Sequence, residues 1–160
     1  MGIFDSINRQ FLYDRTELHP GGEDAIKSIR EKTPVQLPAD YYEFLSCISG
    51  AGNPGGMEFE IEVEDEEAGG LSISVCLWSA DRAFGMQNEF ARLKESFSSK
   101  VWFIGTDLGD MVYFYGLGSD GFGIYLVEGG SLGFAYADKV ADTLTDFLVH
   151  GTGIDVIAAL

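Results

Sequence analysis

The chain has 160 residues, a length that predicts one domain. Its formal net charge is −16, from 10 basic and 26 acidic side chains. With 46% hydrophobic and 22% charged residues and no apolar run near the ~18 residues of a membrane span, the composition is typical of a soluble globular protein and excludes a transmembrane one. The strong negative charge argues against direct binding to nucleic acid or to an anionic membrane.

Three helices are predicted in the first third of the chain. Apolar residues at 4, 7 and 11 predict a short amphipathic helix over residues 3–12, which ends before the glycine- and proline-containing breaker at 19–22. A second helix is predicted over residues 23–32, with acids in its first turn and bases in its last, as the helix dipole favours. A third is expected to begin at Leu37-Pro38 and to stop at Gly50, followed by a loop over residues 51–56.

From Met57 the spacing of the apolar residues changes from helical to every second position. Every second residue from Met57 to Val63 is apolar and the residues between and after them are glutamates, which predicts a half-buried strand with the glutamates on one face. The glutamates are Glu58, Glu60, Glu62 and Glu64. Residues 65–70 then predict a turn and residues 71–77 a returning antiparallel strand, so this part of the chain forms a predicted hairpin.

The remaining residues predict one helix, several short strands and a final helix. Ser79 is the expected N-cap of a helix whose apolar positions run from 83 to 97. Short strands are predicted over residues 101–104, 111–115, 122–127 and 132–136, separated by Gly/Asp/Ser turns. Asp138 is expected to cap a helix closed by Gly151, and residues 154–160 to add a last turn or two. Short loops imply antiparallel neighbours, so the predicted class is α+β.

The negative charge is concentrated in two stretches. Residues 58–67 carry seven carboxylates and no base, and residues 101–160 carry eight acids and one base, so 14 of the 16 net charges fall there. Such a field suits a cationic partner, although acidic surfaces also keep proteins soluble and charged edge strands also block aggregation. The candidate partner-binding residues are Glu58, Glu60, Glu62, Glu64, Asp65, Glu66, Glu67, Asp110 and Asp120.

No motif predicts catalysis, a metal or a cofactor. The Asp/Gly segments at 107–110 and 119–121 have the composition of tight turns and lack calcium-loop spacing. The two cysteines and two histidines lack zinc-ligand spacing, and the glycine-rich stretches lack a phosphate-binding pattern. We therefore predict no catalytic residue, no cofactor and no metal. Most aromatic residues between 113 and 136 are expected in the core, with an exposed tyrosine as a candidate partner anchor.

The N-terminus and the cysteines indicate a compartment. Residues 1–6 lack the basic-then-apolar layout of a secretory signal, and Cys47 and Cys76 are too few for a disulfide framework. We expect a cytoplasmic protein.

The segment Leu37-Pro38-Ala39-Asp40-Tyr41-Tyr42-Glu43-Phe44-Leu45 resembles the Leu-Pro-x-x-Tyr-x-x-Phe-Leu signature of the SUKH superfamily, Smi/Knr type. Later segments look like that family's landmarks in the same order, and the resemblance covers about residues 22–150. These segments are Leu77-Trp78-Ser79, Ile104 through Asp110, and Ala141 through Leu148. There are two departures. Ile48-Ser49-Gly50 stands where the family usually has an Asn-Gly pair, and the N-terminal aromatic is Phe4 or Phe11 rather than Trp.

The resemblance implies one SUKH-like domain over residues 1–160, with a mainly antiparallel sheet flanked by helices and no enzymatic activity or cofactor. Bacterial members act largely as immunity proteins that bind and neutralise polymorphic toxins, often nucleases or deaminases. Together with the negative charge of the chain, the resemblance predicts a non-enzymatic immunity protein that binds a basic toxin through an acidic surface. There are two alternatives: a regulatory or scaffolding domain with an endogenous partner, and an acidic decoy that resembles nucleic acid in charge. The sequence does not decide the oligomeric state.

Overall fold

A seven-stranded antiparallel sheet forms the centre of the fold, and its strands follow one another in space in chain order. The computed structural model describes residues 2–51, 55–63 and 70–160. The strands are β1 (Phe11–Leu12), β2 (Gly56–Val63), β3 (Leu71–Trp78), β4 (Val101–Thr106), β5 (Met111–Gly118), β6 (Gly121–Glu128) and β7 (Asp138–Ala141).

Helices flank the sheet, and no helix in the described part of the chain has both the length and the hydropathy to cross a bilayer. Short 3₁₀ turns occupy Ile3–Asp5, Arg15–Glu17 and Gly129–Ser131, and a π-helical turn occupies Thr145–Val149. The α-helices are α1 (Glu23–Lys32), α2 (Ala39–Ile48), α3 (Ala80–Leu93), α4 (Glu95–Ser98) and α5 (Ile154–Ala158).

The middle strands are covered on both faces. On one face, Tyr41 of α2 lies with its ring 5.5 Å from that of Tyr115 on β5. On the other, Phe90 of α3 and Phe97 of α4 pack against Phe103 of β4, with ring centroids 4.4 and 6.0 Å apart. Burial on both faces explains why β4 to β6 contain runs of consecutive apolar residues rather than alternation.

The β2–β3 hairpin is covered on one face only. Phe59 of β2 contacts Phe4 and Phe44, with ring centroids 6.4 and 6.5 Å away, on the α2 side of the sheet. Strand β3 pairs with β4 only at Cys76 and Leu77, so most of the hairpin extends beyond β4. Its second face carries the exposed residues of the strands and is described below.

The predicted α+β class, the helix over residues 23–32, the hairpin strands and three of the four C-terminal strands are confirmed. Ser79 is the N-cap of α3, and Pro38 is the N-cap of α2, so the helix expected to begin at Leu37-Pro38 has its first helical residue at Ala39. Of the predicted loop and turn, residues 52–54 and 65–69 lie outside the described residues.

Four predictions were wrong. Residues 3–12 form a 3₁₀ turn and then β1, because Phe11 is buried by pairing with β2 and by edge contact with Phe147, 5.2 Å away. The helix from Ser79 breaks at Lys94 into α3 and α4. Residues 132–136 form no strand, since the chain turns there over Phe97. The helix expected from Asp138 is instead β7 followed by the π-helical turn.

Candidate partner-binding surface

Strand β2 alternates between the core and the open face of the hairpin. Its apolar residues from Met57 to Ile61 are fully buried, and Glu58, Glu60 and Glu62 are exposed. We call these three glutamates the acidic row. At ~3.3 Å rise per residue, successive carboxylates of the row are rooted ~6.6 Å apart. The alternation of the sequence therefore produces a line of negative charge on one side of the sheet.

Strand β3 presents small side chains beside the acidic row. The residues paired with its three glutamates are, in order, Cys76, Ser74 and Ser72. The Ser72 hydroxyl donates a 2.5 Å hydrogen bond to Oε2 of Glu60. Because serine and cysteine side chains are short, they leave the carboxylates standing above the surface of the hairpin.

A groove of about 530 Å³ runs along the β1 side of the acidic row. Leu12 of β1 pairs with Glu60 and is 48% exposed, so an apolar side chain lies directly beside the row. The guanidinium of Arg15 points towards the N-terminal turn, where it donates a 3.0 Å hydrogen bond to the carbonyl of Phe4. The groove is lined by Leu12, Tyr13, Asp14, Arg15, Glu17, Glu58 and Glu60.

The acidic row has no cation paired with it within residues 2–51, 55–63 and 70–160. The ion pairs found in those ranges join Arg15 to Asp5 and Lys139 to Asp142. Three like charges on one strand face repel one another, and no ion pair found in those ranges offsets the repulsion. A cationic partner would reduce it.

Neither Cys76, beside the acidic row, nor Cys47, on α2, is a good nucleophile. Burial, and then the negative charge of Glu58, raise the pKa of Cys76 to about 11, although Arg82 opposes the shift. Burial likewise raises the pKa of Cys47. Both side chains are therefore neutral thiols at physiological pH. In the described part of the chain, no three His, Cys, Asp or Glu side chains gather as a metal site.

The structure places the other candidate acids in different regions. Asp110 is exposed in the turn between β4 and β5, and Asp120 in the turn between β5 and β6. These turns lie at opposite ends of the eight-residue β5, so Asp120 is not brought together with the acidic row. Lys139 donates a 2.9 Å hydrogen bond to the carbonyl of Asp120. Glu64, Asp65, Glu66 and Glu67 lie outside the described residues.

A comparison with protein families identifies the chain. The model described as the SMI1 / KNR4 family (SUKH-1) matches residues 20–150. The chain belongs to the SMI1/KNR4 family. No curated protein and no solved structure gives a significant match. The resemblance drawn from the Leu37–Leu45 segment is thereby confirmed.

The signature of this SUKH-1 domain holds the fold together and does not line its open face. Leu37, Tyr41, Phe44 and Leu45 are all buried. The Tyr41 hydroxyl accepts a 2.9 Å hydrogen bond from Nε1 of Trp102, which ties α2 to β4. The family match thus identifies the scaffold, and partner contacts have to be sought on other residues.

Two further residues of the SUKH-1 domain join distant elements. Asp40, at the start of α2, accepts hydrogen bonds of 2.9 and 2.8 Å from the amide and hydroxyl of Thr145 in the π-helical turn. Ser49, which follows α2, accepts a 2.9 Å hydrogen bond from the amide of Ala80 at the start of α3. This hydrogen bond gives a partner to an amide in the first turn of α3, which has no acceptor within the helix.

Sequence reasoning missed two exposed leucines of this surface and its surroundings. The sequence predicts a helix at Leu12, because a two-residue strand leaves no periodic signal. Leu108 lies in the β4–β5 turn, where the Asp-x-Gly-Asp composition predicts a turn without showing which residue takes a left-handed backbone. Among the C-terminal aromatics, the strand tyrosines are buried as expected, and Tyr136 is 77% exposed.

Proposed function

We propose that this SUKH-1 protein is a non-enzymatic immunity protein that binds a basic protein toxin and neutralises it by covering its surface. Proteins of the family are commonly immunity proteins, which supports the class of function. The observation that carries the choice of a basic partner is the acidic row, which stands on an uncovered sheet face without a paired cation in the described ranges. Complementary charge accelerates association and excludes partners of like charge.

The mechanism we propose is occlusion. In a toxin that acts on nucleic acid, such as a nuclease or a deaminase, lysines and arginines hold the phosphates of the substrate. The carboxylates of Glu58, Glu60 and Glu62 would pair with those side chains, and the body of the domain would block access. Binding, and not turnover, accounts for the activity, so inhibition is stoichiometric.

Capture of the partner tests this function. The tagged protein is used to isolate partners from its source cells at about 0.1 M salt and then at 1 M, where the Debye length falls to ~3 Å. We expect one basic protein to remain at 1 M salt, and its isolated domain to kill cells unless this protein is co-expressed. A harmless specific partner would indicate a regulatory domain instead, and a mixture released at 1 M salt would indicate charge mimicry.

Charge reversal tests the surface. The variant Glu60→Lys/Glu62→Lys is expected to slow association with the captured partner by about tenfold at low salt and to flatten the salt dependence, because the steering field is lost. Stopped-flow association kinetics measure both. The control variant Glu89→Lys/Glu95→Lys makes the same change in net charge on α3 and α4. Equal slowing by the two variants would show that net charge matters and that the acidic row is not the contact.

A further inference from the structure

The turn between β4 and β5 holds a leucine in a conformation that suits glycine. Leu108 has a backbone φ of +65°, the one positive φ found among the non-glycine residues that the structure describes. L-residues with a side chain are disfavoured there, because Cβ approaches the backbone too closely. The Leu108 side chain is nevertheless 54% exposed, so core packing does not explain its presence.

Hydrogen bonds on both sides of Leu108 fix this conformation. Oδ1 of Asp107 accepts hydrogen bonds from the amides of Gly109 and Met111, at 2.8 and 3.1 Å. The hydroxyl of Thr106 accepts one from the amide of Leu108 at 3.2 Å and donates one to the carbonyl of Met111 at 2.9 Å. These hydrogen bonds hold the backbone of the turn, so little backbone entropy would be lost when a partner covers the leucine.

The turn lies next to the acidic row. Thr106, which precedes it, pairs with Cys76, and Cys76 pairs with Glu58, so the three residues stand side by side on β4, β3 and β2. At ~4.8 Å between strands, Thr106 and Glu58 are ~10 Å apart at the backbone. An interface of ordinary size, ~800 Å² on each partner, spans both features. Asp110 adds an exposed carboxylate to the same turn.

We propose that Leu108 is the apolar anchor of the partner-binding surface, inserting into an apolar pocket that is rimmed by lysines and arginines on the basic partner. The anchor supplies affinity that salt does not screen, and the carboxylates of the acidic row and Asp110 meet the rim. Interfaces commonly combine a buried apolar centre with a polar rim in this way. This inference rests on the proposed function and adds the residue on which tight binding depends.

The test separates binding from stability. Leu108→Gly removes the side chain and relieves the backbone, so its Tm is expected to rise by about 2 °C. Leu108→Asn keeps a residue that tolerates the left-handed conformation. Both variants are expected to weaken binding of the purified partner at least tenfold at 0.1 M and at 1 M salt, measured by titration calorimetry. Leu117→Asn, which alters a leucine that is 69% exposed on β5, is the control and is expected to bind as the wild type does.

The outcomes distinguish a failure of this inference from a failure of the proposed function on which it rests. If the wild-type protein captures no basic partner, both are overturned. If the wild type binds and the two Leu108 variants bind equally well, only the anchor is overturned. A lower Tm for Leu108→Gly would show that the leucine supports the fold, and weakening by Leu117→Asn to the same extent would show a general loss of apolar surface. Either result also overturns the anchor.

Discussion

At the scale of single residues, buried tyrosine hydroxyls in this domain differ in what they contribute. The hydroxyl of Tyr41 accepts the hydrogen bond from Trp102, and both side chains are almost completely buried. The hydroxyl of Tyr113 is buried as well, but it has no hydrogen-bond partner among the described residues. Burial raises the pKa of both phenols far above the usual value, so both are neutral at physiological pH. Their contributions to stability therefore differ by hydrogen bonding and not by charge.

Removing each hydroxyl should have a different effect on the free energy of unfolding. Tyr41→Phe is expected to destabilise the protein by about 1–3 kcal/mol, because it leaves the N–H of Trp102 buried without an acceptor. Tyr113→Phe is expected to leave stability unchanged or slightly increased, because it removes a buried polar group that has no partner. Urea unfolding followed by tryptophan fluorescence measures both. Equal losses would mean that the hydroxyls contribute through packing alone.

At the scale of elements, the sequence predicts those segments whose burial pattern is regular. The alternation in β2 and the three-and-four spacing of α1 and α3 correctly identified their type. Residues 3–12 have helical spacing as well, yet Phe4 stacks on Phe44 at 5.4 Å while Phe11 turns towards Phe147. Both contacts are with residues far along the chain, so local spacing could not have predicted them. The same holds for β7, which is short and is defined by its pairing with β6.

The candidate surface was predictable to a similar degree. The sequence indicated that the glutamates share one face, and the structure confirms that Glu58, Glu60 and Glu62 are exposed together. It did not indicate that the turn containing Asp110 lies beside them, since that proximity depends on the pairing of Cys76 with Thr106. Nor did it separate Asp110, which precedes β5, from Asp120, which follows it.

Two glycines differ in how well they tolerate a side chain, because Gly105 lies where β3 pairs with β4 and Gly85 lies on an open part of α3. A Cβ on Gly105 would lie 2.2 Å from the carbonyl oxygen of Cys76, at the short β3–β4 pairing. Gly105→Ala should destabilise the protein by about 1–3 kcal/mol and speed amide exchange in β3. Gly85→Ala, in the middle of α3 where nothing lies within 4 Å, should stabilise it by about 0.5–1 kcal/mol. Chemical denaturation measures both values, and a neutral Gly105→Ala would show that the strands separate without cost.

At the scale of the whole molecule, the net charge of −16 acts against stability. Of the two ion pairs in the described ranges, Arg15–Asp5 joins two exposed side chains and Lys139–Asp142 joins a mostly buried lysine to an exposed carboxylate, so each pair has at least one partner in solvent and contributes little. Repulsion within the folded state is therefore only weakly offset by internal pairing. Unfolding moves the charges apart, so added salt should stabilise the folded protein by screening them.

The acidic row should account for a measurable part of this repulsion. Two unit charges ~6.6 Å apart in water repel by ~0.6 kcal/mol, so the two neighbouring pairs of the row contribute about 1 kcal/mol at low salt. Glu58→Gln/Glu60→Gln/Glu62→Gln is therefore expected to raise Tm by about 2–4 °C at low salt, and the gain should vanish at 1 M salt. Scanning calorimetry at both salt concentrations measures it.

The control for this variant is Glu23→Gln/Glu31→Gln/Glu89→Gln, which removes the same charge from helices that also carry lysines and arginines. Its Tm is expected to stay the same or fall, because those glutamates have cations nearby in the sequence. If both variants gain equally, only net charge matters. A gain confined to the acidic row, together with weaker partner binding by the same variant, would show that these carboxylates oppose folding and serve association, as a binding surface does.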